Sequence, residues 1–198
     1  TVAVGSYVVQ AGDENLTGLV VKSLSVSGGG TIKDAALNAT SGYLNTGTGL
    51  TAYDFKVETT APTIGTITST ADDESYGIGA TIPVVVTFIN GVGGAAENVN
   101  LNSGTFDITL ATGGAGSIVS ISSDWDGPTA SGNYVVAVND LSSRLSASGL
   151  AIGGSGSVTD EYGNELSATP AIPVGANLDD AENFQIDGVR PTIVSITS

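Results

Sequence analysis

Residues 55–63 and 184–192 are two versions of one phrase. Phe55 in YDFKV and Phe184 in ENFQI stand 129 apart, as do Pro62 and Pro191, each opening a Pro-Thr-Ile run. Upstream, GSYVVQ (5–10) matches GNYVVA (132–137) at an offset of 127. LSVSGGGTIKDAALN (24–38) matches LAIGGSGSVTDEYGN (150–164) at an offset of 126. The matches keep one order, and the offsets drift as loop insertions make them drift. Self-similarity of this kind builds copies of one unit stacked along the chain. The expected division is a complete unit over 59–187 and the C-terminal half of a preceding unit over 1–58. Residues 188–198 are then the first strand of a following unit, or a strand donated to another chain.

The unit is written in strands. PTIGTITST (62–70) alternates apolar with small polar residues, and ATIPVVVTFIN (80–90) is β-branched and bounded by glycine. TFDITLA (105–111), SIVSISS (117–123), GNYVVAV (132–138), RLSASGLAI (144–152) and NFQID (183–187) follow, with Gly, Asn and Asp between them. Period-2 patterning at short spacing, without a sustained 3.6 period, predicts an all-β fold. Seven strands in a unit of this length predict an Ig-like antiparallel β-sandwich, repeated in tandem. Pro83 predicts an edge or a bulge at the start of its strand.

Twenty acidic residues against five basic ones give a net charge of -15. Five bases make no patch for nucleic acid, and the charge opposes an anionic membrane surface. No apolar run has the length of a membrane span. Without cysteine or histidine, disulfides, thiolate metal sites, Ser-His triads and most zinc or copper sites are excluded. The chain has no Met, so it is expected to be a processed or excised piece. An acidic chain without cysteine, rich in Gly, Ser, Thr, Asn and Val, fits an exported bacterial or archaeal surface protein.

APTIGTITSTADDESYGIGATIPVVVTF, followed much later by GTIKDAALN or SVTDEYGN, resembles the Ig-like or cadherin-like repeats of very large bacterial surface proteins and adhesins. The resemblance covers nearly the whole chain. Leu37 stands where those repeats carry a turn glycine, Glu161-Tyr162 where they carry Ala-Ala, and Gly188-Val189-Arg190 where they carry Thr-Thr-Ala. It implies a non-enzymatic, extracellular structural module that extends or assembles a surface fibre, with other copies or neighbouring repeats as partners. The alternative is an adhesin domain that recognises a glycan or another surface.

The acids fall in the turns. With the seven strands in up-down order, Asp72, Asp73, Glu74 and Asp140 collect at one pole of the complete unit, and Asp187 leaves it. Glu97, Asp124, Asp126, Asp160 and Glu161 collect at the other. In the preceding half unit Asp13, Glu14 and Glu58 lie at the far pole and Asp34 at the near one. Acids then face acids across each junction, and Ca²⁺, which takes 6–8 oxygens, would bridge them. Asp13, Glu14, Glu58, Asp160 and Glu161 are the expected ligands at the first junction. Asp in turns also accepts local backbone bonds without any metal.

Other constellations carry less. The carboxylates of DWD (124–126) are too close to flank a glycosidic bond, and a lone Trp125 reads as core or loop anchor. SGGGT (27–31) and TGGAGS (112–117) lack the lysine and helix of a phosphate loop and read as turns. Tyr7 and Tyr134, equivalent in the repeat, are expected to be core or corner residues that hydrogen-bond their own loop.

Overall fold

A computed structural model describes residues 6–14, 31–33, 35–37, 55–91, 94–113, 117–122 and 125–197. The chain divides into two compact units, Thr1–Thr59 and Thr60–Ser198. Of the first unit, the described residues form turns and single bridges, among them Lys33 and Val57.

The second unit is all-β. Its elements are β1 (Pro62–Thr68), β2 (Ser75–Gly77), β3 (Thr81–Asn90), β4 (Val99–Leu101), β5 (Thr105–Leu110) and β6 (Ile118–Ser122). There follow β7 (Asp126–Gly127), β8 (Thr129–Val135), β9 (Leu141–Ser142), β10 (Ala147–Gly153), β11 (Val158–Asp160), the short helix α1 (Leu178–Ala181) and β12 (Gln185–Asp187). All seven expected strands are present. The five additional ones, β2, β4, β7, β9 and β11, have two or three residues each, too few to set a period.

Two larger sheets, ordered β1-β3-β8 and β10-β5-β6, pack face to face. Alternation does the work: Ile82, Val84, Val86 and Phe88 of β3 and Phe106, Ile108 and Leu110 of β5 point inward and are buried. The Phe88 and Phe106 rings meet edge to face at 5.7 Å. Gly132 of β8 has no side chain where a Cβ would lie 2.6 Å from a Val119 methyl of β6, which lets the sheets close there. The up-down order does not hold. The chain leaves β3 for the opposite sheet and returns from β6 to β8, so both apolar faces are covered.

Two small sheets, β11-β4-β7 and β2-β12-β9, complete the unit. Every ladder among the described residues is antiparallel except β2 with β12. The expectation for Pro83 has a local basis. β1 pairs with β3 only as far as Val85, so Pro83 has a single strand neighbour, β8. The bulge lies in β1, where the register shifts between Ile64 and Thr66. Helix α1 starts with a capping box between Asn177 and Asp180 and buries Leu178.

Candidate functional site: the acidic loops

Tyr134 ends inside the sandwich, and its hydroxyl donates to Asp140 Oδ2 at 2.7 Å. The Ala137 amide donates to the same oxygen at 2.9 Å. Asn139, at φ 72°, supplies the left-handed step that turns the loop back. Asp140 is fully buried, and its Oδ1 has no hydrogen-bond partner among the described residues. Burial, and then the adjacent carboxylate, push the Tyr134 phenol well above its usual range. This loop also holds the segment leaving the sheet: Gly188 donates to the Asp140 carbonyl at 2.7 Å, and the Asn139 amide donates to the Gly188 carbonyl at 3.0 Å. A Cβ on Gly188 would lie 2.3 Å from the Ala137 carbonyl oxygen, so only glycine fits.

The first unit contains the same arrangement 127 residues earlier. Tyr7 donates to Asp13 Oδ2, and the Gln10 amide donates to the same oxygen at 2.6 Å. Gly12, at φ 90°, takes the place of Asn139. Thr59 takes the part of Gly188 with its side chain: Oγ1 accepts from the Gly12 amide at 3.0 Å and donates to the Asp13 carbonyl at 3.2 Å. The Thr59 amide donates to Glu14 Oε1 at 3.2 Å. The hydrogen bonds from Tyr7 and Gln10 hold the Asp13 carboxyl below its ordinary value. Glu58, next to this clasp, is buried. Both tyrosines thus bond their own loops, although Tyr7 is exposed and Tyr134 is core.

The remaining acids separate by place. Asp73 Oδ1 accepts from the Asn183 amide at 2.7 Å, the Asp72 carbonyl accepts from the Tyr76 hydroxyl at 2.6 Å, and the Glu74 carbonyl accepts from the Gln185 amide at 3.2 Å. Partial burial, then the charges of Glu74, Asp72 and Asp73, raise the Tyr76 phenol. Asp187 Oδ1 accepts from the Val189 amide at 3.0 Å, and Asp187 pairs with Leu141, next to Asp140. Asp72, Asp73 and Glu74 therefore lie at the start of β12, and Asp140 and Asp187 at its end. They do not form one group.

At the β11 turn, Asp160 Oδ1 accepts from the Tyr162 and Asn164 amides at 2.9 and 2.8 Å, and its Oδ2 accepts from Asn164 Nδ2 at 2.8 Å. Asp160 and Glu161 lie close enough to Glu97 to raise its carboxyl, after the larger effect of its own burial. Of the expected neighbours, Asp160 and Glu161 thus stand within electrostatic reach of Glu97, while Asp126 is exposed on β7. Asp34 and Asp124 lie outside the described residues. No three acidic side chains converge as a cation-binding group among the described residues. Asp13, Asp140 and Asp160 each use a carboxylate oxygen to fix their own turns.

Trp125 stacks on Phe88 at 5.2 Å and 13°, which covers one face of its ring. An apolar groove of about 710 Å³ runs beside Pro62–Gly65 of β1, against the stretch from Leu166 to Ala176, and no titratable side chain lines it. Thr59, Gly188 and Asn139 join the clasps without a local motif of their own. The signal was present in the equal Tyr-to-Asp spacing of Tyr7–Asp13 and Tyr134–Asp140. In comparisons with family models, curated proteins and solved structures, nothing matches this chain.

Proposed function

We propose that the chain is a stretch of a non-enzymatic extracellular array of Ig-like sandwich repeats that extends or assembles a surface fibre. The observation that carries this reading is the clasp made twice. Each copy ties the strand leaving its repeat to a Tyr-Asp loop, which is what an array needs where one unit passes the chain to the next. Supporting it, Pro191–Thr197 copies β1 at Pro, Thr, Ile, Ile and Thr. Ile64 and Ile67 of β1 are 6% and 0% exposed, whereas Ile193 and Ile196 are 82% and 88% exposed. A segment with that pattern is a first strand for another sandwich, either the next repeat or a second copy that receives it by strand addition.

Calcium belongs to the same proposal as an ion shared by the acidic loops of successive repeats, where like charges would face each other. It would screen like charges and add stability by mass action. The glycan-reading alternative calls for exposed aromatic platforms, and Trp125 has one face against Phe88. Electron microscopy and thermal melting of the full chain, with millimolar Ca²⁺ and with chelator, test the reading. Extended particles and a melting temperature that falls with chelator are expected. Isolated monomers with a melting temperature indifferent to chelator would refute both the fibre and its calcium.

A further inference from the structure

The apolar groove beside β1 has a cause in sequence. β1 is an outer strand of its sheet. The stretch 166–176 runs along its free edge and is tied to it where the Ile67 amide donates to the Ala176 carbonyl at 2.9 Å. Pro170 and Pro173 in that stretch have no amide to donate, so it does not continue as a strand on β1. The space left between them is the groove, lined by Pro62, Ile64, Ile89, Leu166, Pro170 and Val174 among others. The other end of the sandwich carries an apolar segment: residues 191–197 are all exposed, Ile193, Val194 and Ile196 among them. Gly188, just before that segment, is bonded to Asn139 and Asp140. That loop follows the end of β8 that pairs with Thr81, at the start of β3. Pro62 and Thr63 pair with Asn90 and Ile89, at the end of β3. Ile89 lies eight residues along β3 from Thr81, about 26 Å. Ile193, five residues beyond Gly188, reaches at most about 18 Å. The segment therefore cannot lie along the groove of its own chain.

We propose that the groove beside β1 receives the 191–197 segment of a second copy of this chain. The inference rests on the fibre reading above and deepens it by naming the surface that receives the segment. Charge favours this pairing. At a net charge of -15 two copies repel each other over most of their surfaces. Neither the groove lining nor the segment carries a titratable side chain, so apolar burial acts there without that opposition. Groove and segment stand at opposite ends of one unit, so each copy gives at one end and receives at the other. A contact between two different patches is heterologous, and it propagates as a filament unless it closes into a ring.

Sedimentation velocity of the full chain over a range of concentrations compares the parent with two variants. Ile193→Asp/Ile196→Asp charges the segment, and Ala171→Asp/Val174→Asp charges the groove. All four residues are exposed, so both variants keep the fold, which their urea midpoints check. Each variant alone is expected to self-associate about tenfold more weakly than the parent, or less. Mixed in equal amounts, the two form one-to-one dimers, because the groove variant still gives its segment and the segment variant still receives one. A parent that remains monomeric, or a mixture that associates no better than its components, would overturn the docking. Loss in the groove variant alone would make the groove its own partner in a symmetric pair, and would overturn it as well. Extended particles that survive both sets of substitutions would sink this inference and leave the fibre reading standing. Segment-in-groove dimers that close and never extend would sink the fibre reading alone.

Discussion

Leu37 holds a backbone angle that its counterpart gives to glycine. φ is 68° at Leu37 and 88° at Gly163, the matching position 126 residues on. A left-handed backbone brings a Cβ against the following carbonyl and costs about 1–2 kcal/mol, part of which glycine returns through the larger entropy of its unfolded chain. Leu37→Gly is therefore expected to stabilise the first unit by about 0.5–1 kcal/mol, and Leu37→Ala, which keeps the Cβ, to gain nothing from this source. Urea denaturation of the full chain checks it; equal midpoints for the two variants would show that the turn is not strained. This residue was legible beforehand, because the repeat resemblance places a glycine there. The clasp residue Thr59 was not, since a hydroxyl that replaces a backbone amide and carbonyl leaves no pattern in sequence.

At the scale of the element, β1 shows how one residue sets a strand's partner. Its register shifts at Gly65, where a Cβ would lie 2.8 Å from Ile89 Cγ2. Gly65→Val should destabilise the second unit by about 1–3 kcal/mol through overpacking. Ile89→Ala in the same chain should recover part of that loss, giving a coupling in a double-mutant cycle measured by urea denaturation. Additive losses would mean that the bulge absorbs the methyl groups. The similar stretch at 191–197 carries Val194 in this place. The larger strands were legible because each has enough residues to alternate. The two- and three-residue strands depend on contacts from 26 residues apart (Asn100 to Asp126) to 110 apart (Ser75 to Gln185, in the parallel pairing of β2 with β12), which no local period records.

Across the whole molecule charge sets the response to solution conditions. Glu97 keeps its proton to higher pH in the fold than its ordinary value of 4.5, because of burial and then the charges of Asp160 and Glu161. The folded state therefore binds more protons than the unfolded one in this range, and stability falls as pH rises from 4.5 through the raised value. Glu97→Gln cannot ionise, so it should match the parent at about pH 4 and exceed it at about pH 7 in urea midpoint. A variant no more stable than the parent near neutrality would place the two neighbouring charges too far away to matter. Calcium that screens the same carboxylates would narrow the gap. Patterning alone determined that this chain is all-β, built from a repeated phrase, and acidic in its turns, because alternation, glycine punctuation and charge are properties of neighbouring residues. Only the tertiary structure decided what those acids do. Asp13, Asp140 and Asp160 are drawn into their own turns, Asp73 takes the Asn183 amide ahead of β12, and Glu97 is set near Asp160 and Glu161, because a carboxylate takes whichever donors the folded chain brings within about 3 Å.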